Sequence, residues 1–359
     1  MKKVFVSDCE GPISKNDNAF EITAYYVPEG EKFFTVISRY DDVLAYVLKR
    51  RGYKAGDTLK LILPFLRAYG VTDEKMREFS AKSLVLIPKA KEMLHHVRRL
   101  AHAFIVSTSY EHYIRALCQA VEFPYRNTYC TKLKISKYRI EKGEKKRLME
   151  LAKEIAQMPI IEILENAKSL EDFPAEHRKA VLRLDEIFWK EIANMKSGRR
   201  FLYDVNPVGG AEKAEAILDV IKKVGAKLSD VMYVGDSITD IEVFKLVKEN
   251  DGLAVSFNGN RYAVENAEIA ILSNNCMPTA IIAELFTRLG KEQTLKIVEN
   301  WSLENLKRAE VSSTLIESLL KFGDLPKVKI ITKENIEALA KESSEFRKKV
   351  RGEAIGRLG

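Results

Sequence analysis

The sequence predicts an α/β protein: a parallel sheet flanked by helices, broken by two helical insertions and followed by a helical C-terminal extension. Three observations carry this expectation. Short apolar runs alternate with amphipathic helical stretches over residues 84–136 and 204–290, the pattern of strands joined by crossover helices. An apolar run at residues 3–7 stands alone ahead of them and ends at Asp8. Between these parts the periodicity turns wholly helical twice, over 16–83 and 137–203. At 359 residues the chain exceeds the usual size of one hydrophobic core, so 1–15, 84–136 and 204–290 are expected to form the α/β core, with 291–359 as the extension.

Residues 3–7 form the first strand. From Ala19 the chain reads as helices, "AFEITAYYV", "KFFTVISRYDDVLAYVLKRRG" and "DTLKLILPFLRAYG", the last two stopped by Gly52 and Gly70. "TDEKMREFSAKS" adds another, with Thr72 as N-cap. Pro88 suits the first turn of "PKAKEMLHHVRRL", which leads into the strand "AHAFIVSTS" (101–109). The helix "YEHYIRALCQAV" and a strand at "YCTKLKI" (129–135) follow. The second insertion holds "EKKRLMELAKEIAQ", "IIEILENAKSL" and "PAEHRKAVLRLDEIFWKEIANM", with breaks at Pro159 and Pro174. After "NPVGG" come the helix "AEKAEAILDVIKKVG", the strand "VMYVG" running into "DSITD", the helix "IEVFKLVKEN", and the strands "LAVSF" and "AEIAILSN". From Lys291 the chain is helical and charged, with one short strand candidate, "KVKIIT" (327–332).

Composition narrows the function. With 46% apolar and 31% charged residues the chain reads as globular, and no uncharged apolar run approaches the roughly 20 residues of a membrane span. Asp8 and Glu10 interrupt the N-terminal apolar run before a signal-peptide core forms, so a cytoplasmic protein is expected. Four well-separated cysteines fit reduced thiols rather than a disulfide frame or a zinc site. The net charge of +8 comes from segments such as "KGEKKR" (142–147) and "FRKKVRGEAIGR" (346–357). Basic residues there alternate with glutamates along helices, which favours solvated faces over a nucleic-acid surface. Three glutamines against abundant Lys and Glu is the bias of proteins from hot environments.

In an open parallel sheet, ligands sit beyond the carboxyl ends of the strands. The first strand delivers Asp8 and Glu10 there; "AFIV" delivers Ser107, Thr108 and Ser109; "VMYVG" delivers Asp236, Ser237 and Asp240; and Lys213 starts the helix after "NPVGG". Acids, hydroxyls and a lysine together point to phosphate with magnesium, since Mg²⁺ is held by one or two carboxylates plus phosphate and water. Asp8 and Asp236 meet that demand. An aspartate can attack phosphorus itself, and Glu10, two residues on, is the candidate to give a proton to the leaving oxygen and later take one from water. Ser107 and Lys213 suit phosphoryl oxygens.

This ordered set resembles the haloacid dehalogenase (HAD) superfamily. "VFVSDCEG" resembles its first motif, a strand ending in D-x-D; "AFIVSTS" the second; Lys213 the third; and "MYVGDSITD" the fourth, G-D-S/T-x-x-D. The resemblance implies a Rossmann-like core over roughly residues 1–14, 84–135 and 205–275, with 16–83 as a helical cap of the phosphoserine-phosphatase type and 137–203 in a second cap slot. It implies that Asp8 is nucleophile and magnesium ligand and that Glu10 lends its backbone carbonyl to the metal. Ser107, Thr108 and Lys213 would hold the substrate phosphate, Asp236 would complete the metal ligands, and Asp240 would orient metal-bound water or Lys213. Glu10 stands where most members have a second aspartate, a D-x-E-G variant similar to a phosphoserine phosphatase and homoserine phosphotransferase-like branch. The expected function is a Mg²⁺-dependent phosphatase acting on a small phosphorylated metabolite. A phosphotransferase, and a silent scaffold that binds a partner through its basic tail, stay open as alternatives, as does an oligomeric state.

Overall fold

The computed structural model describes residues 2–164 and 167–358. Its seven strands are β1 (Val4–Ser7), β2 (His102–Tyr110), β3 (Thr128–Thr131), β4 (Val231–Gly235), β5 (Leu253–Phe257), β6 (Ile269–Leu272) and β7 (Lys327–Ile330), in the order β3-β2-β1-β4-β5-β6-β7. All neighbours run parallel except β7, which is antiparallel to β6. Strands β1, β4, β5 and β6 are buried along their whole length, because helices cover both faces and every side chain meets a core. β1 shows the alternation: Phe5 joins one face, Val4 and Val6 the other. Val4 pairs with His102 on one side and Val231 on the other, so the connections leave β1 in opposite directions and open a crevice at its carboxyl end.

The first insertion carries α1 (Asn18–Tyr26), α2 (Gly30–Asp42), α3 (Thr58–Leu61), α4 (Leu63–Ala68) and α5 (Asp73–Ser83). In the core, α6 (Ala90–Leu100) and α7 (Glu111–Ala120) follow; the second insertion carries α8 (Lys142–Gln157), α9 (Ala175–Glu186) and α10 (Gly198–Asp204). The two insertions form one helical body, not two. A continuous apolar cluster runs from Phe20, Phe33 and Phe65 to Leu148, Leu184 and Phe188. Tyr40 stacks on Phe188 at 5.8 Å between ring centres, and the Trp189 indole N–H donates to the Tyr40 hydroxyl at 2.9 Å. Each insertion has an apolar helix face that the other covers, which is why neither needs the sheet for its core.

The rest of the core comprises α11 (Ala211–Val224), α12 (Ile241–Glu249) and α13 (Arg261–Asn266). The extension begins within α14 (Met277–Glu299), which has a break at Gly290, and goes on through α15 (Leu303–Arg308), α16 (Ser313–Leu320), α17 (Ile336–Arg351) and α18 (Glu353–Gly356). It is an integral part of the core: β7 extends the sheet, Leu306, Leu315 and Leu319 pack under it, and Leu339 and Ala340 of α17 pack on Val264 and Ala270.

Several expected elements are shorter or divided. Pro64 splits the helix expected over 57–70 into α3 and α4, since it lacks an N–H and its ring crowds the carbonyl four residues back. The long helix from Lys32 stops being α-helical at Asp42 and continues as a π turn, Val43–Val47. The strand expected over 129–135 ends at Thr131, because the Leu133 amide turns to the Glu111 carboxylate at 3.2 Å. "IIEILENAKSL" is not helical where it is described: after Pro159 the chain is irregular up to a 3₁₀ turn at Leu170–Asp172, and Glu165 and Asn166 lie outside the described residues. The Thr72 cap forms, its hydroxyl accepting the Lys75 amide at 3.3 Å. All four cysteines are free and buried, and among the described residues no helix is long and apolar enough to cross a membrane.

Candidate active site

The carboxyl ends of β1, β2 and β4 bring the expected residues together around a cavity of about 110 Å³. Asp8 follows β1 directly and is 5% exposed. Its Oδ1 accepts the Cys9 amide at 2.6 Å and its Oδ2 faces the Lys213 ammonium at 2.6 Å. Lys213, in the first turn of α11, is wholly buried and also reaches Asp240 Oδ1 at 2.7 Å. Burial alone would push Lys213 down, but the two carboxylates outweigh it and hold the ammonium protonated, above its ordinary range. Burial pushes the Asp8 carboxyl up to about 7 against the pull of Lys213. At Asp240 burial is outweighed by Lys213 and by donated hydrogen bonds, which hold that carboxyl below its usual value.

Asp240 is saturated. Its Oδ1 also accepts the Tyr233 hydroxyl at 2.6 Å, and its Oδ2 accepts the amides of Asp236 and Ser237, both at 3.0 Å. Of the two duties expected of it, these bonds serve the holding of Lys213. Its approach depends on Gly235, where a Cβ would lie 2.6 Å from the Asp240 carboxyl carbon.

Asp236 follows β4 and is 1% exposed. It lies against Gly11, whose φ of +103° and lack of a side chain are both needed: a Cβ there would fall 2.1 Å from Asp236 Oδ2. Ser107 and Ser109 pair through their hydroxyls at 3.2 Å. The Thr108 hydroxyl, by contrast, is buried with no hydrogen-bond partner, an orphan acceptor and donor beside the cavity. Glu10 also lines the cavity, and its Oε1 accepts the Asn18 amide at 2.7 Å at the start of α1. Burial and the neighbouring Asp17 push its carboxyl well above the usual carboxylate range.

Carboxylate oxygens of Asp8, Asp236 and Asp240 lie within 4.8 Å of one another, and hard oxygen donors this close suit a small divalent cation such as Mg²⁺. With Asp240 engaged elsewhere, Asp8 and Asp236 are the residues fitted to hold it.

Some residues at the site are not foreshadowed by the sequence. Arg347 and Arg351, from α17, both pair with Asp236 Oδ2, Arg351 at 3.1 Å. In "FRKKVRGEAIGR" nothing but their i,i+4 spacing separates them from the solvated lysines around them. Tyr233 reads as strand core. From the cap, Asp41 accepts the Tyr53 hydroxyl at 2.6 Å and the Gly56 amide at 2.9 Å, and Asp42 faces Arg39 at 3.3 Å; both line the cavity where α2 gives way to its π turn.

Fold and site together define a doubly wound α/β protein with a carboxylate-centred site at the strand ends. The chain belongs to the haloacid dehalogenase-like hydrolases: the sequence profile of that family matches residues 86–284, more than half of the chain, and the match does not include Asp8, Glu10 or the first insertion. Among solved structures it is similar to a gene product of Archaeoglobus fulgidus, with 25% identity, a TM-score of 0.80, and coverage of 100% of this chain and 99% of that one. It is more distantly similar to a phosphoserine phosphatase solved as a phospho-aspartyl intermediate analogue (15% identity, TM-score 0.46, covering 76% and 95%). A substrate-bound phosphoserine phosphatase complex matches at 15% identity and TM-score 0.43, covering 77% and 95%. No curated protein matches the sequence.

Proposed function

We propose that this hydrolase is a Mg²⁺-dependent phosphatase that removes phosphate from a small phosphorylated metabolite through an aspartyl-phosphate on Asp8. The observation that carries the proposal is the buried Asp8–Lys213–Asp240 array, with distances of 2.6 and 2.7 Å, opening on a cavity edged by Ser107 and the orphan Thr108 hydroxyl. Lys213 holds Asp8 in place and keeps a fixed positive charge where phosphoryl oxygens would lie; Asp240, with Tyr233, fixes Lys213. Asp8 attacks phosphorus, its oxygen forming the new bond as the bond to the leaving oxygen breaks. The leaving oxygen takes the proton of Glu10, whose carboxyl is held well above the usual carboxylate range by burial and Asp17, which favours its protonated form. Water then attacks the aspartyl-phosphate and returns its proton to Glu10, freeing Asp8 and inorganic phosphate. Asp8 and Asp236 would hold Mg²⁺, whose charge would offset the repulsion between these acids and the substrate's phosphate.

A panel of small phosphomonoesters with Mg²⁺, read by phosphate release, tests this. Turnover of at least one is expected in the wild type, and none by Asp8→Asn, whose amide is a poor nucleophile. An Asp8→Asn variant that keeps more than about a tenth of the wild-type rate contradicts covalent catalysis at Asp8. A second reading, a silent scaffold, is favoured by one observation, the pairing of Asp236 with two arginines; release of phosphate from no member of the panel would favour it.

A further inference from the structure

The C-terminal extension reaches into the site. Arg347 and Arg351 stand one turn apart on the buried face of α17, each with a side chain 4% exposed, and both guanidinium groups meet the same oxygen, Asp236 Oδ2. Arg347 also donates to the Asp236 carbonyl at 3.1 Å, while its Nε is buried without a partner. Arg351 donates to the Lys15 carbonyl at 2.9 Å and to that of Asn16, the loop that follows Asp8 and Glu10. Ser343, one turn earlier on α17, donates to the Gly259 carbonyl at 2.7 Å. At Gly352, with φ +89°, the helix ends and the chain turns so that Leu358 forms part of the cavity wall. Arg39 of the cap reaches the Arg357 carbonyl, which ties this C-terminal strap, residues 343–358, to the cap as well.

Charge gives this arrangement a purpose. Asp8, Asp236 and Asp240 form an acid cluster that Lys213 compensates only in part. Two guanidiniums add the same +2 that a divalent cation would, and they add it at the acid fitted to hold that cation. A divalent cation and the two guanidiniums cannot share Asp236 Oδ2 without crowding like charges together in a buried site.

We infer that Arg347 and Arg351 are a built-in surrogate for the divalent cation: the C-terminal helix docks on Asp236 in competition with the metal, and metal entry releases it. The inference rests on the cation reading of the site given above. The metal-free protein is stabilised by the strap, and the strap's release both exposes Asp236 and withdraws Leu358 from the cavity wall.

The test is titration calorimetry of Mn²⁺ into the full chain and into its Arg347→Gln/Arg351→Gln variant, with no substrate present. The two guanidiniums must leave Asp236 Oδ2 before a cation can take it, so removing these charge-assisted bonds is expected to tighten Mn²⁺ binding by roughly 10-fold or more. In the wild type, Mn²⁺ is expected to speed amide hydrogen exchange in peptides covering 343–358. That measurement decides the matter if the double variant does not fold. Equal Mn²⁺ affinity in the two proteins, or exchange that slows or stays unchanged on adding Mn²⁺, overturns the competition while leaving a cation-dependent hydrolase intact. Absence of Mn²⁺ binding by both proteins overturns the competition and the cation reading together.

Discussion

Replacing Asp240 by Asn isolates the part of the site that is built in advance of any ligand. Four donors converge on this carboxylate: the Lys213 ammonium and the Tyr233 hydroxyl on Oδ1, the amides of Asp236 and Ser237 on Oδ2. An asparagine has one acceptor oxygen. Whichever way its amide turns, the NH₂ group faces two of the four donors, and both lose this acceptor where solvent is scarce: Asp240 and Lys213 are 0% exposed, and Lys213 keeps only Asp8. At about 1–3 kcal/mol for each orphaned buried donor the cost is about 2–6 kcal/mol. The independent figure for removing one partner of a buried ion pair, about 3–5 kcal/mol, falls inside that range. Urea denaturation followed by circular dichroism, with the midpoint shift converted through the measured m-value, reads the loss. A shift below about 1 kcal/mol would refute the reasoning, because it would mean that neither the charge nor the four donors depend on Asp240.

Three further outcomes follow from the same geometry. Gly11→Ala should abolish activity and lower the melting temperature, since its Cβ would sit 2.1 Å from Asp236 Oδ2 at a φ of +103°; thermal melts and phosphate release check both effects. Glu10→Gln keeps an acceptor for the Asn18 amide and should fold normally, but with its acid/base proton gone it should turn over about 10² to 10⁴ times more slowly and accumulate a hydroxylamine-sensitive phosphoryl adduct detectable by intact mass. Burial and the adjacent Asp42 push Asp41 up to about 7, and burial pushes Asp42 up to about 6, so between pH 4 and 7 the folded chain retains protons that the unfolded chain has released. Stability contributed by these groups must therefore fall as pH rises through that window and level off above it; the melting temperature of Asp41→Asn should decline less steeply over the same range than that of the wild type.

The parts of the site legible in the sequence are those that depend on strand ends. Asp8, Ser107 and Asp236 follow apolar runs, and Lys213 follows "VGG", so chain order alone brings them to one edge of a parallel sheet. Tyr233 escapes this logic because an aromatic inside "VMYVG" has the same appearance whether its hydroxyl is idle or bonded to Asp240. Arg347 and Arg351 escape it for a different reason: their role depends on where α17 docks, which is set by Leu339, Ala340 and β7 far from any motif. The unity of the two insertions is likewise a tertiary fact. Each segment shows only that it has an apolar face, and the partner that covers the face lies more than a hundred residues away, as with Tyr40 and Phe188.

That shared core bears on how a substrate could enter. A cap made of two segments with one continuous interior has to move as a unit, since separating Phe65 and Tyr40 from Phe188 would expose the cluster that holds it together. Its grip on the α/β core, in contrast, includes a small set of polar contacts at the mouth of the cavity. The Tyr46 hydroxyl donates to the Ile238 carbonyl at 2.8 Å, the Tyr110 hydroxyl to the Leu59 carbonyl at 2.5 Å, and Arg39 reaches the strap at Arg357. Bonds of this kind contribute about 1 kcal/mol each, far less than the several kcal/mol needed to open an aromatic core. The polar part of the seam between cap and sheet therefore lies at the cavity that Asp8 lines, and the strap crosses that same seam.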